Sequence, residues 1–294
     1  MKVPSYVVFS SLAALCFAIC NILSKLVIKH SIKSANSLMA YFLLSLVVFS
    51  FFLLPFTSKT IPELRVLGQL FVGISTLVVG TIFLYKGMAL VDATTFSPLF
   101  QIQAVIIALL AFLFLGERFP LNNYLWMGVV FGGAFMVSVD ESLSIKAFFT
   151  RGIFLIILTQ VFHAVSNLYF GFSLKALSHI DMQFWAYFLS IIIFIIYYLV
   201  ARPKLNDEVK KIIPYAVTVF IQCIGAFFLF KSFTLNVTIS SVIALMSSPI
   251  VFVISLVLSH FRPNLLEHHT VKVYLLRFLG IAVILLGVVR LSMG

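Results

Sequence analysis

Carboxylates are scarce in this chain, and none lies where a membrane-buried one would have to be. The 294 residues hold nine Asp and Glu against twenty Lys and Arg. Glu63, Asp92, Glu117, Asp140, Glu141, Asp181, Asp207, Glu208 and Glu267 all fall at the ends of apolar runs or between them. A carrier exchanging lipophilic cations for protons needs a buried carboxylate that both ligands compete for, so multidrug cation efflux is disfavoured. Cysteine is equally sparse: Cys16, Cys20 and Cys223 lie within apolar runs, and their odd number implies no disulfide framework. His163 has no ligand-type neighbour along the sequence, so no metal is expected. Walker, His-Glu-x-x-His and Gly-x-Ser-x-Gly motifs are missing, which removes the chemistry of ATP-driven transport and of hydrolysis. Glu267-His268-His269 reads as a solvated loop. An enzyme is not expected, and no cofactor is implied.

What is present is apolar. Hydrophobic residues make up 62% of the chain and charged residues 10%, and the mean hydropathy is +1.17. That leaves too little polar surface for a soluble domain. Runs of roughly 17–25 apolar residues, each sufficient to cross a core of about 30 Å, are expected as helices over 4–28, 36–55, 66–90, 94–115, 121–139, 151–175, 181–200, 212–234, 239–260 and 274–292. Strands of a membrane barrel would alternate, and none of these do. The predicted fold class is therefore an all-α integral membrane protein of ten transmembrane helices. Lys2 and the first apolar run invite a signal-peptide reading. Leu15 before Cys16 and Ile19 before Cys20 are poor cleavage sites, so the run is read as the first span.

The chain resembles itself. Shifted by 145, Phe83-Leu84-Tyr85-Lys86 falls on Phe228-Leu229-Phe230-Lys231; shifted by 146, Asn21 falls on Asn167. Five spans per unit is an odd number, so the units are expected as inverted repeats, 1–146 and 147–294. Such halves can expose a central site to each side in turn.

Tyr85-Lys86-Gly87-Met88-Ala89-Leu90 through Phe112-Leu113-Phe114-Leu115-Gly116-Glu117-Arg118 resembles the third-to-fourth helix signature of the drug/metabolite transporter superfamily, EamA type. The resemblance implies a ten-helix permease. It is imperfect, because the repeats of such proteins carry a proline before a closing glutamate. Here the first half has Ala104 with Glu117, and the second has Pro249 with Arg262.

Polar side chains inside spans tend to face the bundle interior. Gln160, His163 and Asn167 share one face of the sixth span, and Phe17, Asn21, Ser24 and Lys25 share one of the first. These faces are expected to meet. Asn21, Lys25, His163 and Asn167 are the principal candidate site residues, with Tyr85, Lys86, Gln101, Gln103, Gln222 and Lys231 beside them. The competing reading of Lys25, Lys86 and Lys231 is snorkelling to headgroups. That of Asn21 and Asn167 is interhelical hydrogen bonding, and that of His163 is packing. Amides near ammonium groups suit a zwitterionic or anionic metabolite such as an amino acid. Alternatives are a larger lipid- or nucleotide-linked cargo, or a non-transporting scaffold or receptor. Gly132-Gly133, Gly280 and Gly287 fall in the fifth and tenth spans, where small residues allow close helix approach; these spans resemble the helices that hold the family's repeats together or form a dimer face.

The expected partners are a small-molecule substrate and the lipid bilayer, as monomer or homodimer in a bacterial inner membrane. The net charge of +11 suits anionic headgroups and implies no nucleic acid. Orientation divides two arguments. Lys29, Lys33, Lys146, Arg151, Arg202, Lys204, Lys210, Lys211, Arg262, Lys272 and Arg277 fall on one side, against Lys2, Lys59, Arg65, Arg118, Lys175 and Arg290 on the other. The positive-inside rule thus favours external termini, whereas the resemblance implies cytoplasmic ones.

Overall fold

The computed structural model describes residues 4–32, 34–100, 102–103, 105–106, 109–110, 121–137, 149–235, 240, 243–244, 246–261 and 270–293. Among these, ten α-helices and one 3-10 turn occur and no strand. The helices are α1 (Ser5–His30), α2 (Ala35–Leu53), α3 (Leu64–Met88), α4 (Ala93–Leu99), α5 (Leu121–Val137), α6 (Arg151–Ser173), α7 (His179–Ala201), α8 (Val209–Phe233), α9 (Ser247–Phe261) and α10 (Val271–Met293). Among the described residues six segments are long and apolar enough to cross a membrane: α1, Ala35–Phe56, α3, α6, α7 and α8; shorter apolar stretches cover Leu125–Val137 and Ser247–Leu258. The protein is an all-helical, multi-pass membrane protein.

The helix ends follow local chemistry. Ser34 and Thr150 accept hydrogen bonds from the N–H groups of Ser37 and Ile153, capping α2 and α6. At the start of α7, the Ser178 hydroxyl accepts from the Asp181 N–H and donates to the Asp181 carboxylate at 2.7 Å. That carboxylate also accepts from the Ser58 N–H at 2.8 Å, tying α7 to the turn after α2.

Lipid tails are as apolar as leucine, so helices associate here through close packing rather than through expulsion of water. α3 packs principally on α6, α1 on α8, α10 on α5 and α2 on α7; α4 packs on α9. The α3–α6 contact is a regular zipper. A Cβ on Gly73 would meet Phe170 at 2.8 Å, one on Gly80 would meet His163 at 2.6 Å, and one on Gly87 would meet Ile156 at 2.7 Å. Each advance of seven along α3 is matched by a retreat of seven along α6, the signature of antiparallel helices in a left-handed wrap. At the far end the roles reverse, with Gly152 of α6 under Val91. In the α1–α8 contact, Gly225 takes Cys16 and Phe17.

In the α5–α10 contact, Gly133 and Gly280 each approach the other's carbonyl oxygen, within 2.8 and 2.9 Å of where a Cβ would stand. Gly287 receives Val130. Gly132 faces open space, so of the expected glycine pair only Gly133 serves this contact.

One end of the bundle, where α1 and α3 finish, carries several polar contacts between the two halves of the chain. The Tyr41 hydroxyl donates to Asp207 at 3.2 Å, and the Ser37 hydroxyl to the Lys204 carbonyl at 2.8 Å. Arg277, only 1% exposed, lies 3.4 Å from the Asp92 carboxylate. Arg277 is thus an internal group and not one of the loop charges with which the sequence grouped it.

Gly133→Ala is expected to cost about 1–3 kcal/mol, because its methyl would strike backbone oxygen. Gly132→Ala, one residue away, is expected to be neutral or stabilising by up to about 1 kcal/mol. Thermal unfolding of the two purified variants in detergent checks the difference.

Candidate functional site

Lys25 sits five residues before the end of α1 and is 5% exposed. Its ammonium does not reach the headgroups. It donates to the carbonyls of Met88 at 2.8 Å and Val91 at 2.7 Å, which are left without helical partners where α3 ends. A cation there also meets the negative end of the α3 dipole. Lys25 therefore fixes the α3–α4 turn against α1. Lys86 and Lys231, matched in sequence, have unlike surroundings. Lys86 is exposed, whereas the Lys231 ammonium lies 4.5 Å from the centre of the Phe9 ring.

Tyr85 is buried, and its hydroxyl accepts a hydrogen bond from Tyr215 at 2.5 Å, joining α3 to α8. Further polar contacts run along α8. The Cys20 thiol donates to the Thr218 carbonyl at 3.2 Å. Gln183 of α7, fully enclosed, donates to the Cys223 carbonyl at 2.9 Å and the Tyr187 hydroxyl at 3.1 Å. Tyr215, Gln183 and Tyr187 escaped the sequence reading. Tyr215 lies beside a helix start, and Gln183 and Tyr187 stand among aromatic residues, where polar rings commonly mark the membrane interface.

On α6, Gln160 is buried and donates back to the Ile156 carbonyl at 3.3 Å. One turn on, the His163 imidazole lies over Gly80, and its Nε2 is enclosed with no hydrogen-bond partner. Asn167 and, on α1, Asn21 are partly exposed. The two polar faces do not pack directly as expected. The main partner of α1 is α8 and that of α6 is α3, because those are the surfaces where glycine admits a neighbour. Gln222 is partly exposed on α8, and Gln103 is partly exposed beyond α4. Gln101, Ala104, Glu117, Arg118, Arg262 and the His268-His269 pair lie outside the described residues.

Two hollows flank the bundle. One, of about 250 Å³, is lined by Leu23, Leu26, Val27, His30, Ser31, Pro214 and Thr218 between α1 and α8. The other, of about 300 Å³, is lined by Phe49, Leu53, Phe56, Ile180, Ile224 and Phe227. Both are mainly apolar, and neither takes in Asn21, His163 or Asn167. Among the described residues no three His, Cys, Asp or Glu side chains converge as metal ligands.

The bundle is mostly apolar, with buried amides at Gln160 and Gln183, the His163 imidazole and the Tyr85–Tyr215 pair among its polar groups, groups that are costly to place in lipid. Residues 4–139 match the EamA-like transporter family, part of the drug/metabolite transporter superfamily. This segment is EamA-like. No curated protein matches the chain. Among solved structures, a crystal structure of a protein with no stated function aligns with a TM-score of 0.59 and 12% identity, over 98% of each chain. That likeness concerns the fold alone.

Lys25→Met strands the two carbonyls at the end of α3 and is expected to lower stability by about 1.5–3 kcal/mol. Lys86→Met is expected to stay within about 0.5 kcal/mol. Thermal unfolding in a common detergent compares them.

Proposed function

We propose that this EamA-like protein is a secondary transporter that moves a small polar metabolite, amino-acid-like and zwitterionic or anionic, by alternating access. In this reading residues 1–146 and 147–294 are inverted repeats of five spans each, in a bacterial inner membrane. The observation that carries it is the exchange pattern of helix contacts. Matching α1 with α6 and α3 with α8 turns the α1–α8 contact into the α6–α3 contact, while α2–α7, α4–α9 and α5–α10 each map onto themselves. A two-fold relation between halves predicts such a pattern, and alternating access uses it.

Asn21 and Asn167, matched by the same correspondence, are the proposed substrate contacts. Both are partly exposed and neither makes a hydrogen bond among the described residues, so their amides are available to a ligand. The zwitterion reading rests on the lack of a carboxylate inside the spans. A larger lipid- or nucleotide-linked cargo would need a wider, more basic cavity.

The test uses purified protein in liposomes. Metabolites that raise its melting temperature, as ligands selective for the folded state do, are assayed for counterflow. Exchange of a stabilising amino-acid-like compound is expected, and Asn21→Leu with Asn167→Leu should reduce it by about tenfold or more, the loss of one good polar contact being worth about 1–2 kcal/mol. Unchanged exchange in the double variant would remove these two residues from the site. Compounds that bind without crossing would replace transport with a receptor or scaffold role.

A further inference from the structure

The two halves seat different rings on the same step of their zippers. Shifts of 145 and 146 carry Gly80 onto Gly225 and His163 onto Phe17. In space, the Cβ position of Gly80 is 2.6 Å from Cδ2 and 3.0 Å from Nε2 of His163, and that of Gly225 is 3.0 Å from Cε1 of Phe17. A phenyl ring thus satisfies this packing in one half. The imidazole in the other half adds two polar nitrogens, one of them Nε2, enclosed and unpaired. A buried polar atom without a partner costs stability, and a ring of similar shape would have avoided that cost.

We propose that His163 is a proton-binding site whose protonation parts α6 from α3, which couples transport to pH. The proposal rests on the transport reading for its purpose, but the proton site itself stands on the α3–α6 contact. While the zipper is closed, a charged imidazole would lie against Gly80 with Nε2 enclosed and no acceptor. An uncompensated buried charge of this kind is very unfavourable. Among the described residues no neighbour relieves it. α3 carries Arg65, Tyr85 and Lys86; Tyr85 is bonded to Tyr215, Lys86 is exposed, and all three are more than a turn from Gly80.

α4, the other helix packed on α6, has no titratable residue within Ala93–Leu99, and Asp92 before it lies beside Arg277. The other titratable groups of α6, Arg151 and Tyr169, are more than a turn from His163. A proton therefore stays on the ring only when the helices separate enough for water or a substrate carboxylate to meet it. Acid favours the parted state and alkali the zipped one.

The first readout needs no substrate. Hydrogen–deuterium exchange of segments 73–87 and 156–170, corrected for the intrinsic pH dependence of exchange, is compared at pH 5.5 and 7.5. One linked proton shifts an equilibrium by up to about a hundredfold over two pH units, so a rise of about tenfold or more on acidification is expected. His163→Phe, with the ring already used on Gly225, should abolish it. Gly80→Ala, whose methyl would displace the imidazole, should raise exchange at pH 7.5 and remove the acid effect. If His163→Phe keeps the full acid response, the proton site is wrong.

In liposomes, the ratio of transport rates at pH 5.5 and 7.5 should fall to about one in His163→Phe, whatever the rate itself. A folded His163→Phe protein with the wild-type ratio overturns the coupling. If no compound crosses in any variant, the transport reading fails and the exchange data alone judge the proton site.

Discussion

Close approach of helix backbones is the constraint on which this bundle depends. In lipid a leucine gains nothing by leaving the hydrocarbon for a neighbouring helix, so association comes from contacts that lipid tails cannot match. Gly73, Gly80 and Gly87 let α6 settle along the length of α3, Gly225 gives α1 its seat on α8, and Gly133 with Gly280 does the same for α5 and α10. The α3–α6 and α1–α8 pairs each take one helix from each half of the chain. Units cohering this way do not coincide with the proposed repeats.

Polar groups are distributed accordingly. Toward the end where α1 and α3 finish, hydroxyls and charges bridge the two crossed pairs: Tyr85 with Tyr215, and Lys25 with the carbonyls of Met88 and Val91. Deeper in, pairing is incomplete. Gln183 Oε1 and His163 Nε2 are enclosed without partners, and Asn21 and Asn167 face partly open space. An end stitched by hydrogen bonds thus lies beside an interior with unmet ones, and each unmet group gains when water or ligand reaches it.

Much of this was legible. The apolar runs foretold the positions of α1, α2, α3, α6, α7 and α8 to within a few residues, because a run long enough to cross a bilayer is a helix for want of another way to satisfy its backbone. The stretch from Tyr85 to Arg118 carried the resemblance to the family whose model matches residues 4–139. Contacts were harder to read. The sevenfold spacing of Gly73, Gly80 and Gly87 stands in the sequence, but which helix they receive depends on the assembly. Helical phase put Gln160, His163 and Asn167 on one face and could not say that Gly80 of α3 would lie against its His163. Lys25, near a span end, had the pattern of a snorkelling lysine; only the position of the α3–α4 turn reveals the carbonyls that draw it inward.

The enclosed Arg277 bears on the order of assembly. Asp92 belongs to the first half of the chain, while the guanidinium that faces it belongs to α10, nearly two hundred residues later. During synthesis the contact between α4 and α10 can form only after α10 has been made. That helix in turn carries a charge that is costly to leave in lipid without its counterpart. Chains that stop short of α10 would therefore present the quality-control machinery of the membrane with an unfinished α4 and an uncovered α5.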